Sequence, residues 1–382
     1  MKTALRAGIP PFHVMDVWLA AAERQRTHGD LVNLSAGQPS AGAPEPVRAA
    51  AAAAIAANEL GYTVALGIPE LRAAIAGSYR RYGLSVDAED VVVTTGSSGG
   101  FLLAFLACFD AGDRVAFASP GYPCYRNILS ALGVEVVELP CGPQTRFQPT
   151  VAMLEAAGRL DGVIVASPAN PTGTVIAPAE LAAIAAWCDA NDVRLISDEV
   201  YHGLVYDGAP ATSCAWETSR SAVVANSFSK YFAMTGWRLG WLLVPEELRR
   251  AVDCLTGNFT ICPPVLSQIA AVAAFTPEAI AEADGHLRHY GANRERLLTG
   301  LREIGIDRIA PPDGAFYVYA DVSAFTDDSM AFCARLLAET GLAVAPGIDF
   351  DTRDGNRFIR LSFAGPAADI DEALRRLGPW LP

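Results

Sequence analysis

Val91-Val92-Val93-Thr94-Thr95-Gly96-Ser97-Ser98-Gly99-Gly100 is the stretch on which the fold turns. A β-branched run bounded by glycines reads as a short strand, and the alanine- and leucine-rich residues that follow predict a helix over 99–109. The unit recurs outward from here. Strands are expected at Arg114-Val115-Ala116-Phe117-Ala118, 134–138, 162–166, 193–197 and 222–226, with a helix over 178–190. Strands alternating with helices argue for an α/β protein with a mostly parallel sheet covered on both faces. Ligands of such sheets sit beyond the carboxyl ends of the strands, on the loops that follow them.

After Thr276 the texture changes. A long helical stretch over 277–304 precedes strand-like Ala315-Phe316-Tyr317-Val318-Tyr319, a helix over 329–340, a strand over 358–363 and a last helix over 368–377, which together read as a smaller α+β domain. The expected division is an N-terminal segment over 1–45 that joins the small domain, a large domain over 46–275 and the small C-terminal domain over 276–382. With 382 residues, 51% of them hydrophobic, the chain can bury a large core. A net charge of -13 without any basic cluster argues against a nucleic-acid surface. The eight cysteines are scattered without a CxxC pair, as reduced thiols are. Neither a signal-peptide pattern nor an apolar run of membrane-spanning length is visible, so no membrane partner and a cytoplasmic location are expected.

Of 29 lysines and arginines only two are lysine, Lys2 and Lys230. Where arginine fills nearly every cationic position, an interior lysine suggests chemistry that needs an amine, because a guanidinium cannot deprotonate and so cannot form an imine. The neighbours of Lys230 sharpen this. Gly96, Ser97 and Ser98 open a helix after a strand, an arrangement that cradles phosphate. Ser227 and Ser229 flank the lysine, and Arg238 in Gly236-Trp237-Arg238-Leu239-Gly240 offers a fork that fits a phosphate. Asp198 and Asn170 stand at strand ends, on the edge where a ligand belongs; each alone could be a helix cap or a turn residue.

In this order and spacing Gly-Ser-Ser, Asn-Pro-Thr-Gly, Asp-Glu-Val-Tyr, Ser-Phe-Ser-Lys and Gly-Trp-Arg-Leu-Gly resemble the class I/II aminotransferases of the fold type I pyridoxal-phosphate enzymes, most of all their bacterial aspartate-type branch. The resemblance runs from Leu34-Ser35-Ala36-Gly37-Gln38-Pro39 to Phe358-Ile359-Arg360-Leu361-Ser362-Phe363. It implies a seven-stranded, mostly parallel sheet and pyridoxal 5'-phosphate as cofactor. By resemblance, Lys230 would hold the cofactor as an imine and then shuttle the substrate proton, Asp198 would pair with the ring nitrogen, and Asn170 and Tyr201 would bond the phenolic oxygen. Tyr122 and Val200 would cover the two ring faces. Gly96, Ser97, Ser98, Ser227, Ser229 and Arg238 would hold the phosphate, with Tyr62 reaching it from the other subunit of a homodimer. Arg360 would clamp the substrate α-carboxylate, assisted by Gly37.

The expected substrates are an L-amino acid of the aspartate or alanine type and a 2-oxo acid, with 2-oxoglutarate as acceptor. Serine at 98, where the aspartate-type branch commonly has a lysine for the distal carboxylate, departs from that pattern. The apolar entrance Gly8-Ile9-Pro10-Pro11-Phe12, with Phe316 and Tyr317 near the carboxylate clamp, would also admit alanine, valine or aromatic donors. A carbon–sulfur β-lyase on the same residues is the nearest alternative chemistry. A non-catalytic cofactor-binding effector domain is a further one, and it would need a DNA-binding module ahead of Leu34.

Overall fold

The valine run at 91–93 lies in a strand whose every residue is buried, and at Gly96 the chain turns, with φ +68°, directly into a helix over Gly96–Cys108. These details come from a computed structural model, which describes residues 1–58 and 60–382. The helix starts three residues earlier than its composition suggests, so the Gly-Ser-Ser turn is itself the first helical turn. Its leading amides have no partner within the helix.

In chain order the strands are β1 Val32–Asn33, β2 Val91–Thr94, β3 Arg114–Ser119, β4 Glu135–Pro140, β5 Gly162–Ala166, β6 Arg194–Asp198, β7 Val223–Ser227, β8 Gly240–Leu243, β9 Tyr317–Asp321, β10 Leu342–Ala343, β11 Ala345–Pro346 and β12 Phe358–Ser362. Seven of them form one sheet in the order β2-β8-β7-β6-β5-β3-β4. All its pairings are parallel except the two made by β8, which runs antiparallel to β2 and β7. The periodicity predicts six of these strands to within one or two residues and does not locate β8. Between β7 and β8 the chain carries Lys230 and one 3₁₀ turn, Thr235–Trp237, instead of a crossover helix, so it returns antiparallel.

Two apolar clusters cover the faces of this sheet, one around Val93, Val163, Leu195 and Val224, the other around Val92, Val115, Ile164 and Ile196. Alternate residues of each strand therefore feed opposite faces, which is why the strands read as continuous apolar runs. Beyond the sheet, β11-β12-β9 form an antiparallel sheet accompanied by the helices Pro277–Glu303, Ser329–Thr340 and Ala367–Trp380. The N-terminal stretch packs here: β1 pairs with β10, and the Asp349 carboxylate accepts from the amides of His13 and Val14, capping the helix His13–His28. Among the described residues no helix is long and apolar enough to cross a membrane.

Candidate active site

Because six strands of the large sheet run the same way, their carboxyl ends share one edge, and the polar loop residues named above converge on it. The edge opens on a cavity of about 520 Å³. Its wall includes Gly37, Ser97, Ser98, Tyr122, Asn170, Asp198, Val200, Tyr201, Ser229, Lys230, Arg238 and Arg360. Gly96 and Ser227 stand just behind that wall. Tyr62 is 85% exposed and lies outside it.

Lys230 projects from the loop after β7, and its Nζ donates to the Gly37 carbonyl oxygen at 2.6 Å. Removal from water, followed by the positive charges of Arg360 and Arg238, pushes its amine down to about 8 against the opposing pull of Asp198. An amine in this range is substantially neutral near pH 8, as a nucleophile or proton carrier must be.

Asp198 ends β6 and is buried. Burial pushes its carboxyl up to about 6, while the Tyr125 hydroxyl, the Val200 amide at 3.0 Å and the charge of Lys230 hold it down. Tyr125 is a partner the motifs do not contain. It sits in the helix Pro123–Leu132, one turn beyond Tyr122, and the i, i+3 spacing is the signal that could have found it. A carboxylate kept dry yet given donors is primed to receive a cation.

In the same wall Arg238 adopts a left-handed backbone with φ +51° and donates from Nη1 to the Thr235 carbonyl at 3.0 Å. A Cβ on Gly96 would stand 2.5 Å from Arg238 Nη2, so only glycine lets the guanidinium approach the helix start. Gly240, quoted in its motif without a role, is just as constrained. A Cβ there would lie 2.8 Å from the Ser97 amide nitrogen and the Asn226 carbonyl oxygen. The Ser229 amide donates to Ser227 Oγ at 3.0 Å, which fixes the turn that carries the lysine.

Arg360, from β12, is 2% exposed. Nη1 donates to Asn170 Oδ1 at 2.9 Å and Nη2 to the Ser35 carbonyl at 2.8 Å, while Nε is buried without a partner. A buried guanidinium with only neutral acceptors is a site for an anion. Tyr201 Oη lies 2.6 Å from Tyr317 Oη. The expected entrance segment is only partly at the wall: Phe12 lines the cavity, Gly8 to Pro11 are exposed and do not line it, and the helix after Phe12 contributes Val14, Met15 and Trp18. Phe316 is wholly buried behind the wall, its ring 5.5 Å from that of Tyr201, whereas Tyr317 lines it.

The donor set suits pyridoxal phosphate. A near-neutral amine, a dry carboxylate in the same wall, and a helix start joined to a guanidinium and serine hydroxyls match in turn an aldehyde, a pyridine nitrogen and a phosphate.

The chain matches the family Aminotransferase class I and II over residues 29–377. It is 80% identical over 383 residues to valine–pyruvate aminotransferase of Mycobacterium tuberculosis, covering 100% of this chain and 99% of that protein. It is 36% identical over 361 residues to aspartate/prephenate aminotransferase of Thermus thermophilus, covering 93% and 92%. Among solved structures, an aminotransferase from Mycobacterium tuberculosis superposes with a TM-score of 0.99 at 79% identity, covering 100% of this chain and 99% of that one. The Thermus thermophilus aspartate aminotransferase with maleate superposes with a TM-score of 0.94 at 34% identity, covering 99% of each. With its amine, carboxylate and guanidinium groups gathered at one sheet edge and these relatives along its whole length, the chain belongs to the class I and II aminotransferases, a family of pyridoxal-phosphate-dependent enzymes of fold type I.

Proposed function

We propose that this aminotransferase moves the amino group between a neutral aliphatic L-amino acid of the valine type and a short 2-oxo acid of the pyruvate type. The cations of the cavity carry this reading. Its wall holds three, Lys230, Arg238 and Arg360. In the proposed roles Lys230 attaches the cofactor, Arg238 meets the phosphate and Arg360 meets the α-carboxylate, which leaves none of this chain's own lining cations, among the described residues, for a second substrate carboxylate. The same wall carries the apolar Phe12, Val14, Met15 and Trp18. Aspartate, glutamate and 2-oxoglutarate would each bring a second carboxylate that no spare cation of the same chain's wall meets. The aspartate and 2-oxoglutarate pair expected from the branch resemblance therefore gives way to the neutral-donor alternative, which the name of the 80% identical relative also supports.

Bound pyridoxal phosphate supplies an electron sink for the substrate α-carbon. The protein's part is positioning and proton handling. Asp198 would hold a proton at the ring nitrogen; Asn170 and Tyr201 would face the phenolic oxygen; Tyr122 and Val200 would cover the ring faces. Gly96, Ser97, Ser98, Ser227, Ser229 and Arg238 would hold the phosphate. Arg360, with the Gly37 backbone, would orient the α-carbon toward Lys230 Nζ, and that amine would carry the α-proton.

Three broader properties belong to the same proposal. A homodimer is supported by Tyr62, which stands exposed between the exposed apolar residues Leu60 and Val64, outside its own chain's cavity. Domain boundaries near 45 and 275 are supported by the β1–β10 pairing and by Asp349 capping the N-terminal helix. A cytoplasmic location rests on the scattered, unpaired thiols.

Steady-state rates on the holoenzyme test the substrate reading. L-valine with pyruvate should exceed L-aspartate with 2-oxoglutarate in kcat/KM by at least about tenfold. The reverse order would overturn it, and release of ammonia without amino transfer would point to the lyase.

A further inference from the structure

We propose that Tyr317 is a positioning residue that ties the carboxylate clamp to the Tyr201 hydroxyl. The inference rests on the roles of Arg360 and Tyr201 proposed above. Tyr317 opens β9 and pairs across the small sheet with Ser362, two residues along β12 from Arg360. That spacing puts Tyr317 and Arg360 on one face of the sheet as diagonal neighbours. The Arg360 guanidinium carbon lies 4.4 Å from the centre of the Tyr317 ring. A phenyl ring would serve that contact equally well.

The hydroxyl needs a separate explanation. Tyr317 is 1% exposed, and among the described residues its Oη has one hydrogen-bond partner, Tyr201 Oη at 2.6 Å. It also presses on the backbone that receives Lys230: a Cβ on Gly37 would stand 2.6 Å from Tyr317 Oη, and the Gly37 carbonyl is the acceptor of Lys230 Nζ. Tyr201 Oη has a single hydrogen to give. If that hydrogen points into the cavity toward the cofactor's phenolic oxygen, its lone pairs are open to the Tyr317 hydroxyl, and two hydroxyls in series polarise one another. Tyr317 thereby makes Tyr201 a stronger and better-aimed donor, while its ring holds the guanidinium that receives the substrate.

The readout is the pH midpoint of the visible absorbance of the bound cofactor, titrated without substrate, together with kcat and KM. In Tyr317→Phe the midpoint should rise by about half a pH unit or more, because a weaker donor favours the protonated form. KM for the amino acid should stay within about twofold, since the ring remains under Arg360, while kcat falls. Tyr317→Leu should show the same change of midpoint and, with the ring gone, a KM raised roughly tenfold. In a Tyr201→Phe background Tyr317→Phe should add nothing to the midpoint, a coupling that simple packing would not produce. A midpoint that moves in Tyr201→Phe but not in Tyr317→Phe, or additive changes in the double variant, would overturn this inference alone. An unmoved midpoint in Tyr201→Phe would remove the role of Tyr201 and this inference with it.

Discussion

Removing one oxygen from Tyr125 should change how the stability of the cofactor-free protein depends on pH. Tyr125 is 2% exposed, and its ring makes edge contacts with Phe101, Phe117 and Tyr122 at centroid distances of 5.2, 6.0 and 5.5 Å, all of which phenylalanine keeps. What is lost in Tyr125→Phe is the hydroxyl on Asp198. Burial raises that carboxyl from its ordinary 3.8 to about 6. A group whose folded pKa is raised contributes stability that is complete below the unfolded value and is lost as pH climbs through the folded one. Raised this far, the ionised carboxylate costs the apoprotein about 3 kcal/mol above that window. A hydrogen bond to a charged group is worth about 1.5–3 kcal/mol against about 1 kcal/mol to the neutral acid, so deleting Tyr125 Oη should raise the carboxyl by a further half to one and a half pH units or so. At pH 4.5 Asp198 holds its proton in both proteins, and only a neutral hydrogen bond of about 1 kcal/mol separates them. At pH 8 the wild-type carboxylate is ionised at that cost, and the variant must bear the charge without the hydroxyl or keep the proton, so the gap should widen to roughly 1.5–3 kcal/mol, a few degrees in Tm for a chain of this size. Thermal unfolding of the two apoproteins from pH 4.5 to 8 measures this. A Tm difference that stays constant across the range would mean that Tyr125 acts through packing and that its hydroxyl does not govern the charge of Asp198.

The same geometry sets three other expectations. The rate at which apoprotein attaches pyridoxal phosphate covalently should rise with pH with a midpoint near about 8, because burial and the two arginines hold the Lys230 amine there; a midpoint near 10 in stopped-flow absorbance would contradict that environment, and Lys230→Arg should show no attachment. Gly96→Ala, whose Cβ would stand 2.5 Å from Arg238 Nη2 at a φ of +68°, should weaken pyridoxal phosphate binding by about tenfold or more while leaving affinity for phosphate-free pyridoxal within about twofold; equal losses by fluorescence titration would remove the phosphate contact from this turn. Ser98→Lys adds a cation to a wall that has none to spare, so kcat/KM for aspartate should rise by about tenfold relative to valine, and no change in that ratio would mean the missing cation does not set the substrate.

Much of this enzyme is legible in one dimension because its chemistry is local. A buried parallel strand has to be apolar on both faces, so Val91-Val92-Val93 and Gly162 to Ala166 announce themselves. A loop at a strand end has to carry the polar groups, so Asp198, Asn170 and Lys230 stand out against their apolar surroundings, and the rarity of lysine marks Lys230 further. What escapes a reading in one dimension depends on partners distant in the chain. Tyr125 meets Asp198 across 73 residues and Tyr201 meets Tyr317 across 116; the i, i+3 spacing from Tyr122 can mark Tyr125 as a candidate, but it does not name Asp198 as its partner. Residues Gly8 to Pro11 read as a cavity entrance because they are small and apolar, yet the wall is supplied instead by the helix after them, whose first amides are capped by Asp349, 335 residues from Val14.

Strand-and-helix alternation, the amine, the carboxylate and the glycine-serine turn were thus already decided by residue types a few positions apart. Backbone propensity and the demand that buried strands be apolar act over that range. The order β2-β8-β7-β6-β5-β3-β4, the antiparallel return of β8, the set of cations that faces the cavity and the Tyr201–Tyr317 hydroxyl contact were decided only when the sheet assembled and β12 and β9 brought Arg360 and Tyr317 to the cavity wall. Those features are sums over contacts between remote segments, and a buried polar group acquires its pKa and its partner from whatever the packed fold brings beside it.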